Sequence, residues 1–308
     1  VHPSTSPPEA PAGPRVSAVI VTWNCEAAVR RCLAALEKSK ERGRIEVFVV
    51  DAGSHDGSPQ VDSEFPHVTV LRLPRNFGRT RARNIALRSA AADLVLFLSP
   101  DVEVEPGAIP LLADALENTE HAGAASPALF TPEGRRAESS FRLPSAEQLR
   151  ACCGSGAPLP EAADREAPEA VRDIALMIRR SFLQGMNYLD EKRYSHHWAE
   201  LEIFWQIRNA GKRVLLVEDA RATLHPPEPG PPLDAAARAL LACDRVAGAA
   251  SWIGKHHGFA SGLRFYLGFI FTALGRLVIF REPEYHWRLL TGLLMGHRLD
   301  GTQGGVLG

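Results

Sequence analysis

Two aspartates stand where hydrophobic runs stop. In VLFLSPDVEV, residues 95–104, an apolar stretch ends at Ser99-Pro100-Asp101 and a second β-branched stretch starts at once. In VVDAGSHDGS, residues 49–58, Asp51 closes another such run. Asp, Gly and Ser are ordinary turn residues, so one reading of each aspartate is a loop acid facing water. The sharper reading has Asp101 holding a cation at the carboxyl edge of a sheet, with Pro100 fixing the turn that aims it. Asp51, beside Gly53 and Ser54, has the chemistry to accept the N3–H of a uracil or thymine ring. Neither GxGxxG after the first apolar run nor GxxxxGK[ST] is present, which argues against dinucleotide and P-loop phosphate cradles.

For the two carboxylates to work together, their strands have to end on one edge. RVSAVIVTWN (15–24) reads as a strand with a polar tip. The helix after it carries Val29, Cys32, Leu33 and Leu36 at helical spacing, with Gly43 as a stop. Further strands are expected in IEVFVVDAGSHDGS (45–58), VTVLRLP (68–74) and LVLFLSP (94–100), with a helix over 78–92. Strands alternating with helices predict an α/β fold with a doubly wound, mostly parallel sheet. Ligands of such sheets bind beyond the carboxyl ends of the strands. Val21-Thr22-Trp23-Asn24, Asp51 and Asp101 are therefore expected in one crevice.

Beyond residue 130 the pattern loosens. Residues 131–145 read as a loop or hairpin, and the Gly/Pro/Ala/acid-rich stretch 154–170 as mobile. Residues 171–191 read as strand then helix, 199–211 as a helix stopped by Gly211, and 212–225 as a strand pair. Helices fill the remainder. Their apolar stretch 265–280 has sixteen residues, at most roughly 24 Å of helix, and contains Arg276. That is short of a bilayer core of about 30 Å. A helix lying in a membrane interface between Arg264 and Arg281, or one packed on the main domain, fits better. Adjacent His256 and His257 point apart on a helix, which favours a surface or phosphate-facing role over a metal site.

The net charge of −1 on 308 residues leaves no field to gather nucleic acid. Five cysteines without a CxxC pattern suggest a reduced, cytoplasmic chain, and a Cys25–Cys32 redox pair is disfavoured. Residues 1–14 carry five prolines and no apolar run, predicting a disordered leader and no secretory signal. The expected division is a catalytic domain over 15–230 and a helical region over 231–308.

In order and spacing, VSAVIVTWN, VVDAGSHDGS, RNFGRTRARNIALRSAAADLVLFLSPDVEV and LDEKRYSHHWAELEIFWQIRNAGKRVLLVEDARATLHPP resemble family-2 glycosyltransferases of the GT-A fold. The nearest branch is the rhamnosyltransferase-like one that builds bacterial surface glycans. The resemblance spans roughly residues 15–230 and, more loosely, likens the last helices to membrane-associating tails. It implies an inverting transfer from a UDP- or dTDP-sugar donor to a glycan or lipid-linked acceptor, on the inner face of the plasma membrane. Thr22 and Asp51 would then contact base and ribose, helped by Asn24 and Ser54. Asn76, Gly78, Arg83 and Asn84 would line the donor pocket, with Pro100 and Asp101 at its phosphate end. Asp101 and His225 would hold Mg²⁺ or Mn²⁺ on the diphosphate, whose own oxygens complete the shell. Glu200 would be the general base. Trp198, with His196 and His197, is either an acceptor platform or the loop before the helix. Glu103 and Glu105 read as solvated.

The departures from the family pattern matter as much. Ala199-Glu200 stands where the family has Glu-Asp, and Glu202 where its next acid stands. Glutamate's extra methylene moves the carboxylate by roughly 1 Å, and a misplacement of that order can cost about 100-fold in rate. A one-residue insertion between Asp190 and Glu200 is one way the backbone compensates. Ile174 and Tyr188 occupy positions where glycines are usual near the acceptor. The alternative is a sugar-nucleotide-binding partner subunit without turnover. A nucleotidylyltransferase ranks third, because its glycine-rich N-terminal loop is missing.

Overall fold

The computed structural model describes residues 13–159, 168–227 and 232–299. Most of the expected leader, part of the 154–170 stretch and the boundary near 230 lie outside the described residues.

β-Branched residues at alternating positions build the sheet, because successive side chains point to opposite faces. The strands are β1 (Val16–Thr22), β2 (Ile45–Asp51), β3 (Val68–Arg72), β4 (Leu94–Leu98), β5 (Val102–Val104) and β6 (Ala122–Phe130). After them come β7 (Ser140–Phe141), β8 (Ala170–Val171), β9 (Ala175–Arg179) and β10 (Arg213–Leu224). Eight of them form one sheet in the order β3-β2-β1-β4-β9-β6-β10-β5, while β7 and β8 pair separately. Pairs β3–β2, β2–β1, β1–β4 and β6–β10 are parallel; β9 runs against both β4 and β6, and β5 against β10.

Helices cover both faces. They are α1 (Glu26–Glu37), α2 (Arg79–Ser89), α3 (Ala108–Asn118), α4 (Ala146–Ser155), α5 (Arg180–Gly185) and α6 (Ala199–Asn209). Three longer ones end the described chain, α7 (Ala235–His256), α8 (Phe259–Val278) and α9 (Pro283–Met295). Val16, Ala18 and Ile20 of β1 pack with Val29, Cys32, Leu33 and Leu36 of α1 on one side of the sheet. Val19, between them, joins Ala82 and Ala86 of α2, Phe204 of α6 and Trp252 of α7 on the other.

Two expectations change in detail. The expected strand pair over 212–225 is one strand, β10, whose register on β6 shifts between Val217 and Arg221. That bend lets Ala222–Leu224 pair with β5 as well. The helix expected before 191 is only the six residues of α5.

Candidate active site

Strand direction gathers the chemistry on one edge. Thr22 is level with Asp51 in the β1–β2 ladder. Leu98 is level with Ile20, so β4 reaches that edge just before Pro100 and Asp101. Because β9 runs against β4, its first residue, Ala175, lies beside Leu98, and Asp173 falls on the same edge. Leu224 pairs with Val102, and the His225 amide donates to the Asp101 carbonyl at 2.9 Å.

At the β1–β2 end, Asp51 is 2% exposed. Its Oδ2 accepts from the Gly53 amide at 3.2 Å and the Ser54 amide at 3.1 Å. Its Oδ1 is buried with no hydrogen-bond partner among the described residues. A buried acceptor without a donor is costly, so this oxygen is suited to an N–H brought by a ligand. Asn24 ties the two loops together: its amide donates to Ser54 Oγ at 2.9 Å, and its Oδ1 accepts from the His55 amide at 2.8 Å. Thr22 is buried, its Oγ1 lying 3.0 Å from Cys25 Sγ.

The β4 end is a small polar corner. Glu103 is not merely solvated, as expected from sequence, because its Oε2 meets His225 Nε2. Among the described residues, no three His, Cys, Asp or Glu side chains converge to hold a metal unaided. The donor set nonetheless suits a hard divalent ion that brings its own phosphates. Asp101 supplies oxygen, and Glu103 on His225 Nε2 orients the ring so that Nδ1 can serve as a ligand.

The third group lies where α2, α6 and the start of β9 meet. Gly78 makes this approach feasible: its φ is 86°, and a Cβ there would stand 2.3 Å from the Ser195 carbonyl oxygen. Asn76 Oδ1 accepts from the Gly78 amide at 2.9 Å. The next residue, Arg79, reaches Asp173 at 3.2 Å and Glu200 Oε2 at 3.7 Å. Arg83, 4% exposed, donates to Asp173 Oδ2 at 2.7 Å and lies over the Phe97 ring. Burial would push the Asp173 carboxyl up, but Arg79 and Arg83 together hold it at about 2. Glu200 goes the other way. Burial, then the neighbouring charge of Asp173, pushes its carboxyl up to about 7 against the pull of Arg79. Glu200 Oε2 is buried without a hydrogen-bond partner.

Glu202, two residues on, faces the opposite way. It accepts from Lys255 at 2.7 Å and Gln206 at 2.8 Å, and lies 2.9 Å from His256 Nε2. These bonds outweigh burial and hold its carboxyl below the usual range. Glu202 joins α6 to α7, while Glu200 has no such bonds among the described residues.

Several expected wall residues are committed elsewhere. Asn84 is 2% exposed, with its amide donating to the Leu189 carbonyl and to Glu191 and its Oδ1 accepting from the Leu189 amide. It braces the loop before α6. Arg83 likewise acts through Asp173. Trp198 is buried, and its indole N–H donates to the Arg245 carbonyl at 2.8 Å, so it offers no sugar platform. His256 is buried against Trp205 and Trp252, which corrects its surface or phosphate-facing reading. Tyr188, at a position where a glycine is usual, keeps a left-handed φ of 65°, and its neighbour Asn187 one of 58°. Ile174 gives its carbonyl to the Ser99 amide at 2.6 Å.

Asp173 and Arg79 were missed from sequence. Asp173 lies in an irregular stretch with no periodicity. Arg79 left a trace: three arginines crowd the first turns of α2, where the helix dipole disfavours cations. Such placement signals bound acids nearby.

The mixed sheet with a polar crevice at one edge is the GT-A glycosyltransferase fold. Two solved structures share it. GalNAc-T7 with UDP, GalNAc and Mn²⁺ aligns with a TM-score of 0.55 at 17% identity, covering 71% of this chain and 45% of that one. S. aureus TarS 1-349 in complex with UDP-GlcNAc aligns at 0.52 and 15% identity, covering 92% of each. Residues 17–152 match the family model Glycosyl transferase family 2. The N-acetylglucosaminyl-diphospho-decaprenol L-rhamnosyltransferase of Mycobacterium tuberculosis is 34% identical over 139 residues, 41% of this chain. The matched region spans 45% of that relative's length.

Proposed function

We propose that the protein is an inverting glycosyltransferase that moves a sugar from a UDP- or dTDP-sugar to a hydroxyl of a lipid-linked glycan. The observation that carries this is Glu200, at the start of α6: a buried carboxylate oxygen without a hydrogen-bond partner among the described residues, its carboxyl near neutrality, beside Asp173 on the edge that also carries Asp51. The decaprenol-linked acceptor in the relative's name supports the acceptor class.

Asp51 Oδ1 takes the base N–H while Gly53 and Ser54 hold the rest of that carboxylate in place. Glu200 takes the proton of the acceptor hydroxyl as its oxygen attacks the anomeric carbon. The bond from that carbon to the diphosphate breaks on the opposite face, and the nucleoside diphosphate leaves with the electron pair. General-base help of this kind is worth about 10²–10⁴-fold. Arg79 keeps the emerging negative charge and the Glu200 carboxylate from facing an uncompensated Asp173. Asp101 and His225 would hold Mg²⁺ or Mn²⁺, which when bound supplies Lewis-acid stabilisation of the leaving diphosphate.

Glu200→Gln keeps size and polarity but removes basicity. Donor binding is expected to survive while transfer falls by about 10²–10⁴-fold. Wild-type transfer by Glu200→Gln would show that the wrong acid is assigned. Asp101→Ala is expected to abolish the Mn²⁺-dependent part of UDP or dTDP affinity in calorimetry; an unchanged affinity in saturating Mn²⁺ removes Asp101 from the site. If the wild-type chain binds donor but transfers to no acceptor, it is a sugar-nucleotide-binding partner subunit.

A further inference from the structure

A second concavity lies away from the sheet edge. Between α7, α8 and the segment after α9 is a groove of about 460 Å³, within the roughly 300–1,000 Å³ of ligand pockets. Its floor exists because two helices touch backbone to backbone. A Cβ on Gly262 would stand 2.6 Å from the Ala250 carbonyl oxygen and 2.7 Å from Gly254 Cα. The walls are small or apolar, but Arg193, Lys255 and Arg298 stand among them; Arg193 is paired with Asp190 and Lys255 with Glu202, acids that do not themselves line the groove. Arg298 is pinned by the Lys192 and Arg193 carbonyls and Ser251 Oγ, so one cation of the rim is pre-positioned.

The groove has an apolar exit. Phe259 and Leu263, which line it, begin an exposed stripe of α8 that continues through Leu267, Phe271, Leu274 and Val278. These positions recur every three to four residues, so they share one helix face. The groove also abuts the catalytic edge. Leu299, next to Arg298, brings its carbonyl oxygen 3.1 Å from where a Gly78 Cβ would be, one residue before Arg79.

A rim with one pre-positioned cation, a short apolar slot and an apolar track leading out of it describe one kind of ligand. We infer that this groove binds the diphosphate end of the isoprenoid that carries the acceptor, with the isoprenoid chain leaving along the α8 stripe. The inference rests on the lipid-linked acceptor proposed above and names where that lipid is held. Arg298, together with the half-exposed Arg193 once it exchanges Asp190 for the ligand, takes the diphosphate, and the slot takes the first isoprene units. The glycan is thereby directed past Leu299 toward Glu200.

The test is calorimetry on the full chain with farnesyl diphosphate as probe, in excess UDP to keep it out of the donor pocket. Binding is expected, with inorganic pyrophosphate and farnesol each weaker by about tenfold or more. Leu263→Asp and Arg193→Gln, at side chains that are 45% and 55% exposed, are expected to weaken it about tenfold without lowering the melting temperature. Pyrophosphate binding as tightly as farnesyl diphosphate would make this a free-phosphate site and overturn the inference. So would farnesol binding equally well, or indifference of the probe to both variants. Transfer to a lipid-free acceptor separates the two readings. If Leu263→Asp keeps that transfer and loses transfer to a prenyl-diphosphate acceptor, both stand. If the wild type binds the probe as expected but transfers to neither acceptor, only the glycosyltransferase reading fails.

Discussion

Glu200 carries a carboxyl pushed up to about 7 by burial and by Asp173. A general base must be ionised, so transfer is expected to rise with pH through about 7 on the acid side. An acid limb in the ordinary glutamate range near 4.3 would count against Glu200 as the base. Asp173→Asn removes the repelling charge and leaves Arg79 facing Glu200, so the limb should move to lower pH. Stability follows the same carboxyl with a definite sign. Its pKa is raised on folding, so the unfolded chain releases this proton first, and stability falls as pH rises from the unfolded value toward 7. Glu200→Gln is expected to gain on the order of 3 kcal/mol over wild type at pH 8 relative to pH 4, read from denaturant midpoints. Asp51 drew notice as an acid closing a strand, and Glu200 through the resemblance of its segment to the family's acidic pair; Asp51 and the Glu200 Oε2 are buried in the structure. Asp173 was not legible, since only the antiparallel direction of β9 brings it to the carboxyl edge. Asn84 and Trp198 show the complementary limit: chain position gives proximity to a site, but not that Asn84 bonds the Leu189 backbone or that Trp198 donates to the Arg245 carbonyl.

Elements explain why two acids one residue apart differ so much. On α6, positions 200 and 202 point in different directions. The first faces Arg79 at the helix start; the second faces α7 and finds Lys255 and His256. Glu202→Leu should therefore act on stability. It leaves Lys255 and the buried His256 without their acceptor, at a cost of about 2–4 kcal/mol, discounted because Lys255 is partly exposed. The expected reading is a lowered melting temperature with the pH limb of surviving activity unmoved. A shifted limb would mean that Glu202 also serves the reaction. The alternating strands and α1 and α2 were legible from periodicity. The helix α4 was overlooked, although its Ser145–Gln148 capping box is a sequence signal, and both of its reciprocal bonds are present. The reading of 212–225 as two strands failed because a bulge bends one strand without ending it.

Across the whole molecule, the C-terminal helices are tied into the catalytic unit yet leave one side bare. Asp244 of α7 accepts from the His196 amide at 3.1 Å, and Arg150 of α4 lies over Phe265 and Phe269 of α8. Cutting the chain before α7 would strip those contacts, so surface substitution is the better probe of what α8 and α9 do. Their outer side carries Phe271, Val278, Ile279, Phe280 and Trp287, between 60% and 84% exposed. Arg264, Arg276, Arg281 and Arg288 are exposed among them. Among the described residues, no helix is long and apolar enough to cross a membrane. Apolar side chains interleaved with arginines on a helix surface suit the interface of an anionic bilayer. Each arginine near such a surface adds about 1 kcal/mol, and each aromatic adds the burial of its exposed area. The protein is therefore expected to sediment with phosphatidylglycerol vesicles more than with phosphatidylcholine ones. The double variant Phe271→Asp/Trp287→Asp should bind on the order of tenfold less or weaker still. Trp287 lies outside both the groove and the α8 stripe that leads from it, so farnesyl diphosphate affinity should stay at the wild-type value in Trp287→Asp alone. Equal sedimentation of the double variant and the wild type would mean that the bare side of α8 and α9 meets something other than lipid.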